Sequence, residues 1–179
     1  MDIKQYLAIR AERSKNLVIG CGTTPERVMM GTMPGTACSL GSDHHNDFTV
    51  DVSSDASPNL TLDFSQSKGS DLLAQGKGHF DKVTFEYLNR GPRNRFSEAE
   101  VKGWIEGADT MLKDKSGEIL FYNGDSRYRA QARSAMEERG YTVTDVKEDP
   151  STTSPNGHVY CKGKKDDSLT SQFWRLFGG

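Results

Sequence analysis

Apolar residues along this chain gather into short runs separated by long polar stretches, and two periods recur among them. Leu17-Val18-Ile19 is an unbroken apolar run entering Gly20-Cys21-Gly22, the pattern of a strand buried on both faces and ended by a glycine turn. Phe48-Thr49-Val50-Asp51-Val52 alternates, and Leu60-Thr61-Leu62-Asp63-Phe64 repeats the form, so each run brings an acid to its far end. Phe80 to Leu88 and Glu118 to Tyr122 predict a fourth and a fifth strand. The helical period appears first over residues 3–13, where Ile3, Tyr6, Leu7 and Arg10 share a face. It is clearest after Ser97-Glu98-Ala99-Glu100, a capping box followed by the stripe Val101, Trp104, Ile105, Ala108, Met111 and Leu112, which is core. A further helix follows the turn Asn123-Gly124-Asp125, capped by Asp125 or Ser126, with Tyr128, Ala132, Ala135 and Met136 inward and Gly140 ending it. Residues 141–146 and 158–162 then predict two strands paired antiparallel across Pro155-Asn156-Gly157.

Strands alternating with helices require parallel crossovers, so the pattern predicts an α/β fold with a mostly parallel sheet closed by a C-terminal antiparallel pair. The edge where parallel strands end is where such sheets bind ligands, and Asp51 and Asp63 both fall there. Glycines at 20 and 22 let the backbone turn sharply and approach a ligand closely, because no Cβ obstructs it. Asp51 then suits the hydroxyls of a ribose, although an Asp at a strand end also caps turns, and Asp63-Phe64-Ser65 reads equally as a turn. A dinucleotide fingerprint asks for a third glycine where Pro25 stands and for an acid nearer than Asp51.

These residues resemble the class I S-adenosylmethionine-dependent methyltransferases, whose first motif takes the form Leu17-Val18-Ile19-Gly20-Cys21-Gly22 with Pro25 close behind. The resemblance in the order of elements spans about Asn16 to Lys162, and its sharp motifs cover three short patches. It implies a Rossmann-like three-layer sandwich with S-adenosyl-L-methionine as cofactor. Gly20, Cys21, Gly22 and Thr23 would then pass the methionine arm, Asp51 and Val52 the ribose, and Asp63 and Phe64 the adenine. Glu86 and Tyr87, ending the fourth strand, would face cofactor and acceptor, with Glu86 as base or amine holder; Tyr87, Asn89 and Arg90 would orient the acceptor. The helical leader often covers the active site in that family. Two departures stand out: Val18 and Thr24 replace an acid and a glycine of the usual motif, and residues 29–46, with Gly31, Pro34, Gly35 and Gly41, take the place of the first long helix. That segment predicts at most a short helical turn from Pro25 and then an irregular loop.

Composition narrows this further. With 179 residues the chain suits one domain: a leader over 1–15, a methyltransferase-like domain over 16–163 and a tail over 164–179. A formal charge of -2 argues against a whole-surface electrostatic grip on nucleic acid. Arg90, Arg93 and Arg95 still form a local basic cluster, either solvated or holding a phosphate or carboxylate of the acceptor. Cys21, Cys38 and Cys161 make no Cys-x-x-Cys pair, which predicts reduced thiols in a cytoplasmic protein. Adjacent His44 and His45 point to opposite sides of an extended segment, so no metal is expected. No signal peptide or membrane span is evident. The tail ends in Phe173-Trp174-Arg175-Leu176-Phe177, which docks on the domain or meets a partner or membrane surface. The expected activity is methyl transfer to oxygen or nitrogen of a small molecule or a peptide or protein. RNA methylation and cofactor binding without catalysis are the alternatives.

Overall fold

The computed structural model describes residues 1–9, 15–21, 47–68, 70–86, 88, 95–113, 116–147 and 159–165. The loop predicted over 29–46, the turn at 155–157 and the aromatic tail from 166 onward lie outside the described residues. Seven strands form one sheet: β1 (Asn16–Ile19), β2 (Phe48–Asp51), β3 (Leu60–Thr61), β4 (Lys82–Glu86), β5 (Glu118–Tyr122), β6 (Tyr141–Lys147) and β7 (Val159–Lys165). Their order is β3-β2-β1-β4-β5-β7-β6. The first five pair in parallel, and β7 runs antiparallel to both β5 and β6. The predicted closing pair is therefore present.

Pleating sorts the side chains. Val50, Ile19, Phe85, Phe121 and Cys161 stand in one row across five neighbouring strands, and each is at most 2 % exposed. On this face pack α1 (Ile3–Ile9), α2 (Asp71–Gly76), α3 (Glu98–Met111) and α4 (Ser126–Glu137). Burial of each large apolar side chain in that row contributes roughly 1.5–3 kcal/mol. The alternate face is more polar: Thr49, Thr84 and Glu86 are buried there, and Val18 packs with Cys21 and Ala56.

Local chemistry explains where elements start and stop. The predicted capping box opens α3: Ser97 Oγ accepts from the Glu100 amide, and the Ser97 amide donates to Glu100 Oε2 at 2.8 Å. Asp125 caps α4, and Gly140 follows it at φ +77°. In contrast to the run predicted over 60–64, β3 stops at Thr61, because Asp63 caps a 3-10 turn, Phe64–Gln66. β7 extends past its predicted end to Lys165, since Lys164 and Lys165 are carried by register with Thr142 and Tyr141 of β6.

The leader helix sits at the opposite edge from the one the resemblance implied. Tyr6 packs on Phe48 and Phe80, with ring centroids 5.4 and 6.1 Å away. Its hydroxyl accepts from the Asn16 amide and donates to the Asn16 carbonyl, both at 3.2 Å. Asn16 and Phe48 begin β1 and β2, so α1 closes the base of the sheet, away from the edge where the parallel strands end. Among the described residues, no helix is long and apolar enough to cross a membrane.

Candidate functional site

At the end of β1 the chain turns through Gly20, whose φ of +76° is a left-handed conformation that side chains disfavour. The Gly20 amide donates to the Val50 carbonyl at 2.8 Å, which ties the turn to β2. A Cβ at this position would lie 2.5 Å from Leu88 Cδ2 and 2.9 Å from the Glu86 carbonyl oxygen. The turn is therefore pressed against the exit of β4, and only glycine fits.

Cys21 is fully buried beyond it. Its thiol is pushed up to about 12, first by burial and then by the negative charges of Asp51 and Glu86, against a hydrogen bond with Thr49. Both carboxylates thus act on the same point. Glu86, the last residue of β4, is 2 % exposed. Asp51, half-buried at the end of β2, accepts from the Ser53 amide through Oδ1 at 2.9 Å, and its carbonyl accepts from the Leu62 amide. Next to it Val52 is 71 % exposed, a large apolar side chain held in solvent beside an acid. Thr49 keeps this part of β2 in place: its amide and hydroxyl donate to Asn59 Oδ1 at 3.0 and 3.2 Å.

Asp63 and Phe64 lie at the end of β3, and both have local work. Asp63 Oδ1 accepts from the Ser65 amide at 3.0 Å and the Ser65 hydroxyl at 2.7 Å. Phe64 is buried edge-on against Phe85 at 5.8 Å and over Gly107 of α3. Gly22, Thr23, Tyr87, Asn89 and Arg90 lie outside the described residues, as do Arg93, His44 and His45.

Two residues of this edge carry little sequence signal. Leu88 reads only as the last residue of the predicted fourth strand, which stops at Glu86, and Asn123 reads as part of a turn. Asn123 is 7 % exposed; its Nδ2 donates to the Leu88 carbonyl at 3.3 Å, and its Oδ1 accepts from the Asp125 amide at 2.9 Å. Its own carbonyl accepts from the Arg129 guanidinium. Among the described residues, no group of three or more His, Cys, Asp or Glu is placed to hold a metal ion. Away from the edge, a groove of about 340 Å³ on the β6 and β7 strands is lined by Thr142, Thr144, Lys162, Lys164 and Lys165. Two of these lysines are ion-paired, Lys162 with Glu118 at 3.0 Å and Lys165 with Asp109 at 2.7 Å.

A turn that only glycine can make at the end of β1, flanked by the acid-ended strands β2 and β4, in a sheet of order 3-2-1-4-5-7-6 whose first five strands are parallel, defines a Rossmann-like fold closed by an antiparallel strand. Solved structures agree. A variant of the 16S rRNA (adenine(1408)-N(1))-methyltransferase from Catenulisporales acidiphilia superposes with a TM-score of 0.53 at 13 % identity, covering 94 % of each chain. A predicted O-methyltransferase from Agrobacterium tumefaciens gives 0.50 at 11 % identity, over 94 % of this chain and 82 % of that one. At such identities the likeness is one of fold. No protein-family model and no curated protein sequence matches the chain.

Proposed function

We propose that this edge binds S-adenosylmethionine and that the chain transfers its methyl group to an oxygen or nitrogen of a small molecule, peptide or protein. The observation that carries the reading is the left-handed turn at Gly20, closed by Val50 and Leu88, with Asp51 and Glu86 ending the two strands that flank β1. Asp51 offers acceptors beside the exposed Val52, a combination that suits a nucleoside's hydroxyls and its flat apolar base. In this reading Gly20, Cys21, Gly22 and Thr23 admit the methionine arm. Asp63 supports the turn beside the base, and Phe64 steadies it from the core. The cofactor supplies an electrophilic methyl group on a sulfonium centre. Glu86, desolvated at the end of β4, holds a positively charged amine or takes the acceptor's proton. Tyr87, Asn89 and Arg90 orient the acceptor.

Calorimetry with S-adenosylmethionine and S-adenosylhomocysteine tests the binding, with Asp51→Asn expected to weaken it about 10- to 100-fold through loss of charge-assisted hydrogen bonds. No binding by the wild-type chain overturns the reading. Incubation with labelled donor and cell extract then follows the methyl group, and binding without transfer identifies a non-catalytic binder. A second reading is methylation of RNA, which the basic cluster Arg90, Arg93 and Arg95 permits and the formal charge of -2 disfavours. Label appearing only in a nuclease-sensitive fraction selects it.

A further inference from the structure

Asn123 joins two loops of the proposed site that are 35 residues apart in the chain. Its amide nitrogen reaches the carbonyl of Leu88, two residues past Glu86, while its amide oxygen holds the Asp125 amide at the start of α4. Leu88 in turn stands so close to Gly20 that its Cδ2 lies 2.5 Å from where a Cβ would be. We propose that Asn123 is a positioning residue, fixing the exit of β4 against the glycine turn and thereby setting where Glu86 and Leu88 stand at the site. The inference rests on the cofactor reading only for its effect on binding; the mechanical link stands apart from it.

The side chain at 123 must give a proton on one side and accept one on the other, and it must do so while buried. An aspartate of the same shape keeps the bond from the Asp125 amide but turns a carboxylate oxygen toward the Leu88 carbonyl, two acceptors face to face. Alanine leaves both backbone groups without this partner. Anchoring by Arg129 to the Asn123 carbonyl keeps the main chain in place in either variant.

The test compares wild type, Asn123→Asp, Asn123→Ala and Leu88→Ala by hydrogen-exchange mass spectrometry and by calorimetry with S-adenosylhomocysteine. In Asn123→Asp, exchange in peptides covering Glu86 to Leu88 is expected to rise at least about threefold, while peptides of β1 and of Val101 to Met111 keep wild-type protection. Binding of S-adenosylhomocysteine is expected to weaken about 5- to 50-fold in both Asn123 variants, the range for losing one buried hydrogen bond. Leu88→Ala is expected to weaken it similarly while leaving protection at Asn123 to Asp125 unchanged. The proposal is overturned if exchange at Glu86 to Leu88 is unaltered, or if protection falls evenly across the whole chain. Should the wild-type chain ignore S-adenosylhomocysteine, the cofactor reading fails, while the exchange pattern still decides the role of Asn123. If Asn123→Asp does not fold, Asn123→Ala and Leu88→Ala carry the same comparison.

Discussion

Gly20 is subject to two separate constraints, a left-handed backbone and the near contact of Leu88 and the Glu86 carbonyl. Gly20→Ala is expected to destabilise the fold by about 1–2 kcal/mol through backbone strain alone, with the crowding of β4 adding to it. Urea denaturation measures the loss, and a wild-type midpoint for this variant contradicts the turn described. Cys21 and Cys161 make a second residue-scale case. Burial is the first cause that pushes both thiols up to about 12. A folded value above the unfolded one means that their contribution is complete below the ordinary thiol range and is lost as pH climbs from about 9 toward 12. Iodoacetamide at pH near 8 is expected to leave both unmodified in the native chain and to label both in urea, read by peptide mass spectrometry. At this scale the positions of Gly20 and Asp51 at the ends of β1 and β2 were legible, because an apolar run that stops at a glycine or an acid marks where a buried strand leaves the sheet. Leu88 and Asn123 were not, since their places are set by contacts distant in the chain, with each other across 35 residues and, for Leu88, with Gly20.

Elements were legible in proportion to the length of their pattern. The stripe of α3 repeats through four turns behind a capping box, and Glu118–Tyr122 and Asn16–Ile19 are unmistakable short strands. By contrast α2 has six residues, too few for a period to show, and only its cap, Ser70 to the Leu73 amide at 3.3 Å, marks it. At the end of β3 the strand and turn readings of Asp63 compete, and the structure takes the turn, since Asp63 works locally on Ser65. The loop joining α2 to β4 supplies an element-scale expectation. Burial alone would raise the Asp81 carboxyl, but hydrogen bonds from Lys113 at 2.7 Å and from the Lys15 amide at 2.8 Å, with both positive charges, bring it below its usual value. A carboxylate lowered in the folded state stabilises above its unfolded value, and that contribution disappears as acid carries pH down through the lowered one. Asp81→Asn is therefore expected to be less stable than wild type near neutrality and to lose less stability on acidification. Chemical denaturation at a series of pH values checks it, and parallel acid profiles would refute it.

For the whole molecule, the two edges of the sheet divide the work: the base is closed by α1 and the opposite edge is left to the glycine turn and the acids. Tyr6→Phe removes both hydrogen bonds to Asn16 and is expected to lower stability by about 1–2 kcal/mol. Affinity for S-adenosylhomocysteine should stay within about twofold, because the change is made at the other edge; a large loss would show the edges to be coupled. The parallel pairing of the first five strands followed from the alternation of strands and helices, and the antiparallel closure from the turn signal between the last two strands; the order of strands in the sheet comes from the structure alone. The site of the leader did not follow, since a short amphipathic helix shows an apolar face without saying which end of a sheet it meets. That location bears on how the molecule can be handled. Met1 is half exposed, just ahead of the helix whose Tyr6 is tied to Asn16 at the base of β1. An affinity tag, a surface tether or a fused protein joined ahead of it would therefore emerge beneath the sheet, away from the edge where Gly20 and Asp51 stand.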